Sequence, residues 1–276
     1  AIRMYKDGEG FLYPTADAEK CIGCEKCERV CPVLNAAGEK TFRQDAYVCQ
    51  IKGKVILRQS TSGGAFTAIA QYVLKQNGIV YGAAMSDDFT VAHCGIEKAE
   101  ELSKLRGSKY VQSDTATCYA EVKRQVKEGR IVLFSGTPCQ VEGLRHFVGD
   151  NYTNLIILDF VCHAVPSPMI WEKYMQYRQK ECGDSITQML FRDKAPYGYQ
   201  MSTMSAYRAN QRIYHGDISI DPYLRAFFSN ICDRPSCYAC AFKSRYREAD
   251  ITLWDCLDIE RFCAPPKEMN PALGVS

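Results

Sequence analysis

Cys21-Ile22-Gly23-Cys24-Glu25-Lys26-Cys27-Glu28-Arg29-Val30-Cys31-Pro32 is the stretch on which the reading of this chain turns. Its spacing is C-x2-C-x2-C-x3-C-P, a run that holds iron–sulfur clusters in bacterial proteins. Three thiolates two residues apart wrap one inorganic cube. The fourth, ahead of a proline that turns the chain away, ligates the other cluster where two are present. Zinc is the plainer alternative, but zinc sites usually pair two C-x2-C knuckles far apart in sequence rather than three cysteines in one tight run.

Working outward, the 276 residues suffice for one large domain or for a small module joined to a core. Hydrophobic residues make up 46%, so a sizeable core can be buried. A net charge of +2 gives no basis for a nucleic-acid or acidic-membrane partner. Fifteen cysteines is a high count. A secreted disulfide scaffold is a poor fit, because the chain is not small, the count is odd and no signal-peptide pattern opens it. No run of about eighteen apolar residues predicts a membrane span. Metal-bound thiolates in a reducing cytoplasm are the expected setting. Ala1-Ile2-Arg3-Met4 opens without an initiator methionine, and the chain is expected to be a fragment lacking an earlier cysteine run.

Residues 1–35 are cysteine-rich, and residues 36–45 are polar, contain glycine and read as a linker. The boundary is therefore set at 1–40 for a ferredoxin-like module and 41–276 for a larger domain. Strands are expected at Ala46–Ile51, Ile79–Met85, Val91–Ile96, Ile131–Phe134 and Leu155–Val161. Helical spacing marks Gly64–Gln76, Thr117–Glu128, Val141–Phe147 and Pro168–Cys182. Alternating strands and helices predict an α/β core, with strands and turns over Ser185–Ile220 giving it an α+β character. Ala272–Ser276 reads as the start of a further strand.

A second cysteine group is dispersed: Cys139 after Thr137-Pro138, Cys162 at the end of an apolar strand, and Cys237-x2-Cys240. Strand-to-loop junctions are where α/β sheets carry functional groups. Buried structural cysteines are the alternative reading. Ser60-Thr61-Ser62-Gly63-Gly64 stands between a strand and a helix; it suits close approach to a phosphate, or an ordinary helix cap. Arg106-Gly107-Ser108-Lys109-Tyr110 is a compact donor set that suits a phosphate or a flavin edge, or a solvated turn. Phe191-Arg192-Asp193-Lys194 is equally ambiguous. His163, next to Cys162, is a ligand, a proton donor or a locally satisfied side chain. No G-x-G-x-x-G fingerprint supports a conventional dinucleotide fold.

In order, these motifs continue as GTPCQVEGL, VCHAVPS, FRDK and RPSCYACAFKSRYREADIT. Together they closely resemble the β-subunit family of coenzyme F420-reducing hydrogenases and dehydrogenases, from Gly10 to Glu260. That resemblance implies an iron–sulfur flavoprotein oxidoreductase, with a 4Fe–4S ferredoxin module joined to an α/β domain that binds FAD. It assigns an outer cluster to Cys21, Cys24 and Cys27, with Cys31 serving another cluster or closing the same one. It assigns a cluster near the flavin to Cys139, Cys162, Cys237 and Cys240. It places Ser62, Gly63 and Gly64, with Ser108, Lys109 and Tyr110, along the flavin. Expected partners are a ferredoxin or another redox subunit and a small organic substrate. The family often carries Gly-Asp-Phe-Trp-Gly after the DIT, whereas this chain has Leu253-Trp254-Asp255-Cys256-Leu257-Asp258. Asp255 is kept in place, but recognition of the deazaflavin by that loop is put in doubt. Cys232 and Cys256 receive no role.

Overall fold

The structure is a computed structural model that describes residues 1–35, 41–149, 151–183 and 185–276. Half of the linker expected over 36–45, and the boundary drawn at residue 40, fall outside the described residues. The chain opens with an antiparallel hairpin, β1 (Ile2–Lys6) and β2 (Leu12–Ala16). The first cysteine run follows, its middle wound into the short helix α1 (Lys26–Arg29).

Two layers of helices enclose the main sheet. Its elements in chain order are α2 (Lys54–Gln59), α3 (Ala65–Lys75), β3 (Ile79–Met85), β4 (Val91–Ile96), α4 (Leu102–Leu105), α5 (Cys118–Lys127), β5 (Val132–Gly136), α6 (Pro138–Val148) and β6 (Leu155–Phe160). A final strand, β10 (Ile251–Leu253), joins this sheet from far along the chain, giving the order β10-β6-β5-β3-β4. β10, β6, β5 and β3 run parallel; β4 is antiparallel on β3. All of β5 is buried, as befits a strand covered on both faces. Val132, Phe134 and Ile157 meet Val122 and Val126 of α5 and Val141 and Leu144 of α6. Leu133 and Leu158 point the other way, against Ala70 and Val73 of α3 and Leu102 and Leu105 of α4. Each such side chain, fully removed from water, contributes roughly 1.5–3 kcal/mol.

The second core is built on α7 (Pro168–Cys182), β7 (Gln188–Leu190), α8 (Lys194–Tyr197), β8 (Thr203–Arg208), β9 (Gln211–Asp217) and α9 (Pro222–Phe228). β7, β8 and β9 form an antiparallel sheet, as the strand-and-turn pattern over Ser185–Ile220 predicts. Trp171, Tyr174 and Met175 of α7 pack on Met189, Phe191, Met204 and Tyr223. A short helix, α10 (Pro235–Tyr238), carries Cys237, and Cys240 lies two residues beyond its end.

Two expected strands do not form. Cys49 exchanges both backbone hydrogen bonds with Ser276, and the Ile51 amide donates to Gly63 O, so Ala46–Ile51 pairs with isolated residues instead of a strand. Residues 272–276 lie in a 3₁₀ turn, Pro271–Leu273, and the extended stretch after it. Among the described residues no helix is long and apolar enough to cross a membrane.

Candidate functional site

Cys139 and Cys162 follow the C-terminal ends of β5 and β6, which are neighbours in the sheet. Thr137 is the N-cap of α6: Gln140 Oε1 accepts from the Thr137 amide at 3.0 Å, closing a capping box, and Pro138 takes the first helical position. This starts α6 three residues before the helix expected from apolar spacing and sets Cys139 in its first turn. Thr137 Oγ1 lies 3.2 Å from Cys139 Sγ.

The other two thiols are brought in by pairing of two irregular segments. The Ser167 amide donates to Cys232 O at 2.7 Å and the Arg234 amide to Val165 O at 2.8 Å. These bonds lay the residues before Cys237 against the residues after Cys162. Burial, then the neighbouring thiols of Cys139, Cys237 and Cys240, push the Cys162 thiol up to about 12, with the Lys243 ammonium opposing. Cys139 and Cys240 act in the same way on Cys237, whose thiol is raised first by burial. Cys139, Cys237 and Cys240 thus lie near enough to Cys162 to act on its charge, beyond the C-terminal ends of the parallel strands. Cys162, Cys237 and Cys240 are half-buried and Cys139 reaches the surface, unlike Cys118, which sits wholly in the core. Among the described residues no three Cys, His, Asp or Glu side chains converge on a point fit for a single metal ion. A four-iron cube takes its thiolates at separate corners, which suits a wider spread of donors.

In the N-terminal module Cys21, Cys24 and Cys27 are exposed and Cys31 is half-buried. Gly23 and Glu25 both take positive φ, 66° and 57°, which bends the run around its thiols. Arg29 Nη2 donates to Cys24 O at 3.0 Å across the bend.

A cleft opens beside the second core. Its wall gathers three motifs that are remote in sequence: Gln59 and Thr61, then Arg106, Ser108 and Lys109, then Arg192, Asp193 and Lys194. Thr61 Oγ1 accepts from the Ser108 amide at 3.0 Å and lies 3.2 Å from Ser108 Oγ. Lys109 Nζ donates only to the carbonyls of Lys104 and Arg106, at 3.0 and 3.1 Å. Burial lowers this amine to about 8, with the Cys94 thiol opposing. Lys194 Nζ donates to the carbonyls of Leu57, Ser62 and Leu273, at 3.1, 2.8 and 2.6 Å, and burial lowers it likewise to about 8.

Of the residues expected along a flavin, Ser108 and Lys109 line this cleft; Ser62, Gly63, Gly64 and Tyr110 stand behind it. Ser62 Oγ donates to Val275 O at 2.6 Å, and the Gly63 amide donates to Ser276 Oγ at 2.9 Å. A Cβ on Gly63 would lie 2.5 Å from both Cys49 O and Ser276 N. Gly64 takes φ +84° as the N-cap of α3. These glycines allow close packing of backbone on backbone and leave Thr61 to face the cleft. Tyr110 packs on Phe227, with ring centroids 4.8 Å apart, and His163 packs on the same ring at 4.9 Å. One phenylalanine therefore touches both the residue after Cys162 and the residue after Lys109.

The charge of the cleft fits one of the expected groups. Five cations, Arg58, Arg106, Lys109, Arg192 and Lys194, stand with one acid, Asp193, on the cleft wall. Such a wall suits the diphosphate of a dinucleotide. Arg58 and Gln59 escape sequence reasoning because nothing local shows that α2 ends at a cleft, whereas Thr61 belongs to the Ser60–Gly64 stretch that reads as suiting a phosphate.

The coenzyme F420 hydrogenase/dehydrogenase beta subunit is matched in two parts, its N-terminal part by residues 46–118 and its C-terminal part by residues 129–270. Residues 13–37 match a 4Fe–4S binding domain. No curated protein matches. Among solved structures, the chain is similar to one in the xenon-derivatised F420-reducing NiFe hydrogenase complex from Methanosarcina barkeri, at 18% identity and a TM-score of 0.46. That match covers 70% of this chain and 64% of the other. The two family matches include most of the cleft residues and the four sheet-edge cysteines, and the chain belongs to the coenzyme F420 hydrogenase/dehydrogenase beta-subunit family, with a 4Fe–4S binding domain ahead of it.

Proposed function

We propose that this chain is the electron-transferring subunit of an iron–sulfur- and FAD-dependent oxidoreductase. The observation that carries the reading is the pairing of a cationic cleft with a four-cysteine edge through Phe227, which touches Tyr110 on one side and His163 on the other. Cys139, Cys162, Cys237 and Cys240 hold a 4Fe–4S cluster; Cys21, Cys24 and Cys27 hold an outer one, and Cys31 serves it or a neighbouring cluster. The cleft takes FAD, with Thr61, Ser108, Arg106 and Lys109 on its phosphates and Arg192 toward its ring. A flavin exchanges one or two electrons and clusters exchange one, so together they connect single-electron carriers to two-electron organic chemistry.

The chain's own part is to space and tune these groups. Thr137 sets Cys139 in the first turn of α6, the 165–167 and 232–234 segments set Cys237 and Cys240 against Cys162, and the ring of Phe227 packs between those of His163 and Tyr110. Its partner is a ferredoxin or another redox subunit, in a reducing cytoplasm. The final substrate is a small organic compound or the deazaflavin.

Anaerobic purification followed by assay of iron, acid-labile sulfide and heat-released FAD tests this. Cys139→Ala is expected to lose part of the cluster absorbance and to slow flavin reduction by an added electron donor. Unchanged spectra and rates in that variant defeat the assignment. Clusters without FAD would support a plain electron relay instead, and a colourless zinc protein would defeat both.

A further inference from the structure

The cleft cations have no acidic partner inside the cleft. Asp193 is turned away from it: Oδ1 accepts from the Ala195 amide at 3.0 Å and Oδ2 from the Tyr207 hydroxyl at 2.6 Å, with Arg212 nearby at 3.7 Å. Lys109 and Lys194 donate to backbone carbonyls only. Arg192 differs. Its Nη1 donates to Asp255 Oδ2 at 2.5 Å and its Nη2 to Tyr199 O at 3.3 Å. The guanidinium is 10% exposed and the carboxylate behind it 27%. These two side chains come from different sheets. Asp255 stands two residues beyond β10, and Arg192 two residues beyond β7.

We infer that Asp255 is a positioning residue that, through Arg192, sets how much more tightly the cleft holds the reduced, anionic form of its flavin than the oxidised form. This rests on the FAD reading of the cleft. Two electrons and one proton turn the neutral oxidised ring into an anion. A cation beside the ligand stabilises the anion over the neutral form, and its charge is a lever the protein holds over the cofactor. A carboxylate in contact with that cation offsets the effect. Arg192 keeps its bond to Tyr199 O when the Asp255 charge is removed, so Asp255 alters its field more than its position.

The test is the midpoint potential of FAD bound to the full chain, titrated anaerobically with dithionite as the electron source and buffer as the proton source. FAD stoichiometry of the unaltered chain is measured first. Asp255→Asn is expected to raise the ratio of reduced to oxidised affinity about tenfold, a rise of about 30 mV for a two-electron couple. Arg192→Gln is expected to lower the ratio by a similar factor, and the double variant to behave as Arg192→Gln alone. Asp255→Glu, which keeps the charge, is expected to stay near the unaltered value. Asp255→Ser replaces the Asn variant if that one fails to fold, with the same sign expected. An unchanged or lower potential in the Asn or Ser variant overturns the inference while leaving the cleft reading intact. So does a rise that persists in the Arg192→Gln background. A chain that takes up no FAD overturns the cleft reading and the inference together.

Discussion

Arg234 Nη2 donates to the carbonyl of Leu12 at 2.8 Å, while its guanidinium lies 4.3 Å over the ring of Tyr13. One side chain from the segment that leads into Cys237 thus clasps the hairpin that leads into Cys21. Glu9 O reinforces the clasp by accepting from the Met169 amide and from Ser167 Oγ, and Phe11 is fully buried beneath it.

Arg234→Ala is expected to loosen the module without unfolding the core. A charge-assisted hydrogen bond plus a cation–π contact gives a loss of roughly 2–3 kcal/mol in hairpin docking. Amide exchange should speed up across Ile2–Ala16 and stay unchanged in β5. Equal hairpin exchange in the variant and the unaltered chain would count against the clasp.

The two kinds of glycine should separate in urea melts. Gly63→Ala drives a Cβ into two backbone atoms that cannot yield, and about 3 kcal/mol of destabilisation is expected. Gly107 takes φ +85° but has open space around it, so Gly107→Ala is expected to cost about 1 kcal/mol.

His93 should give stability a distinct acid limb. Its Nε2 lies 3.0 Å from the Ser135 carbonyl, so Nε2 carries the proton and Nδ1 accepts from Ser113 Oγ at 2.6 Å. Burial, chiefly, lowers this imidazole from 6.5 to about 4. Between those values the unfolded chain binds the proton and the folded chain does not, so stability falls as pH falls from about 6.5 to about 4. The loss is roughly 3 kcal/mol at its fullest. His93→Gln should flatten that limb in a series of melts against pH; the same slope in both proteins would refute the assignment.

Lys109 should impose an alkaline limit on ligand affinity. Its ammonium is lowered to about 8, so raising the pH from about 7 to about 9 removes a cation from the cleft wall. FAD binding, followed by quenching of flavin fluorescence, should weaken over that range. Lys109→Met should bind about tenfold more weakly at neutral pH, a change of about 1.4 kcal/mol. Its affinity should also fall less with pH, although Lys194, lowered to the same value, keeps some dependence. Parallel pH curves for the two proteins would rule Lys109 out.

Local chemistry made much of this architecture legible. Ser167-Pro168 ahead of an apolar run and Gly183 after it delimit α7, because a cap, a fixed φ and a left-handed stop each act within one turn. The same holds for the buried runs of β5 and β6 and for the cysteines at their ends. Ala46–Ile51 has the composition of a strand, but a ladder needs a neighbour, and its partners prove to be Gly63 and Ser276. α9 escapes a period-based reading although Asp221 and Pro222 cap its start, because it is short and follows a strand-rich stretch. Arg192 reads as one more charged turn until Asp255, 63 residues on, is seen to hold it.

β10 has a part out of proportion to its size. Three residues, Ile251, Thr252 and Leu253, join it to β6. On one side of this join stands the strand that leads to Cys162, and on the other the loop that carries Asp255. Fraying at this single margin of the sheet therefore disturbs the thiolate corner and the guanidinium in the same event. Warming should loosen the Cys162 segment and the Arg192–Asp255 pair together, ahead of the collapse of the helices around β5.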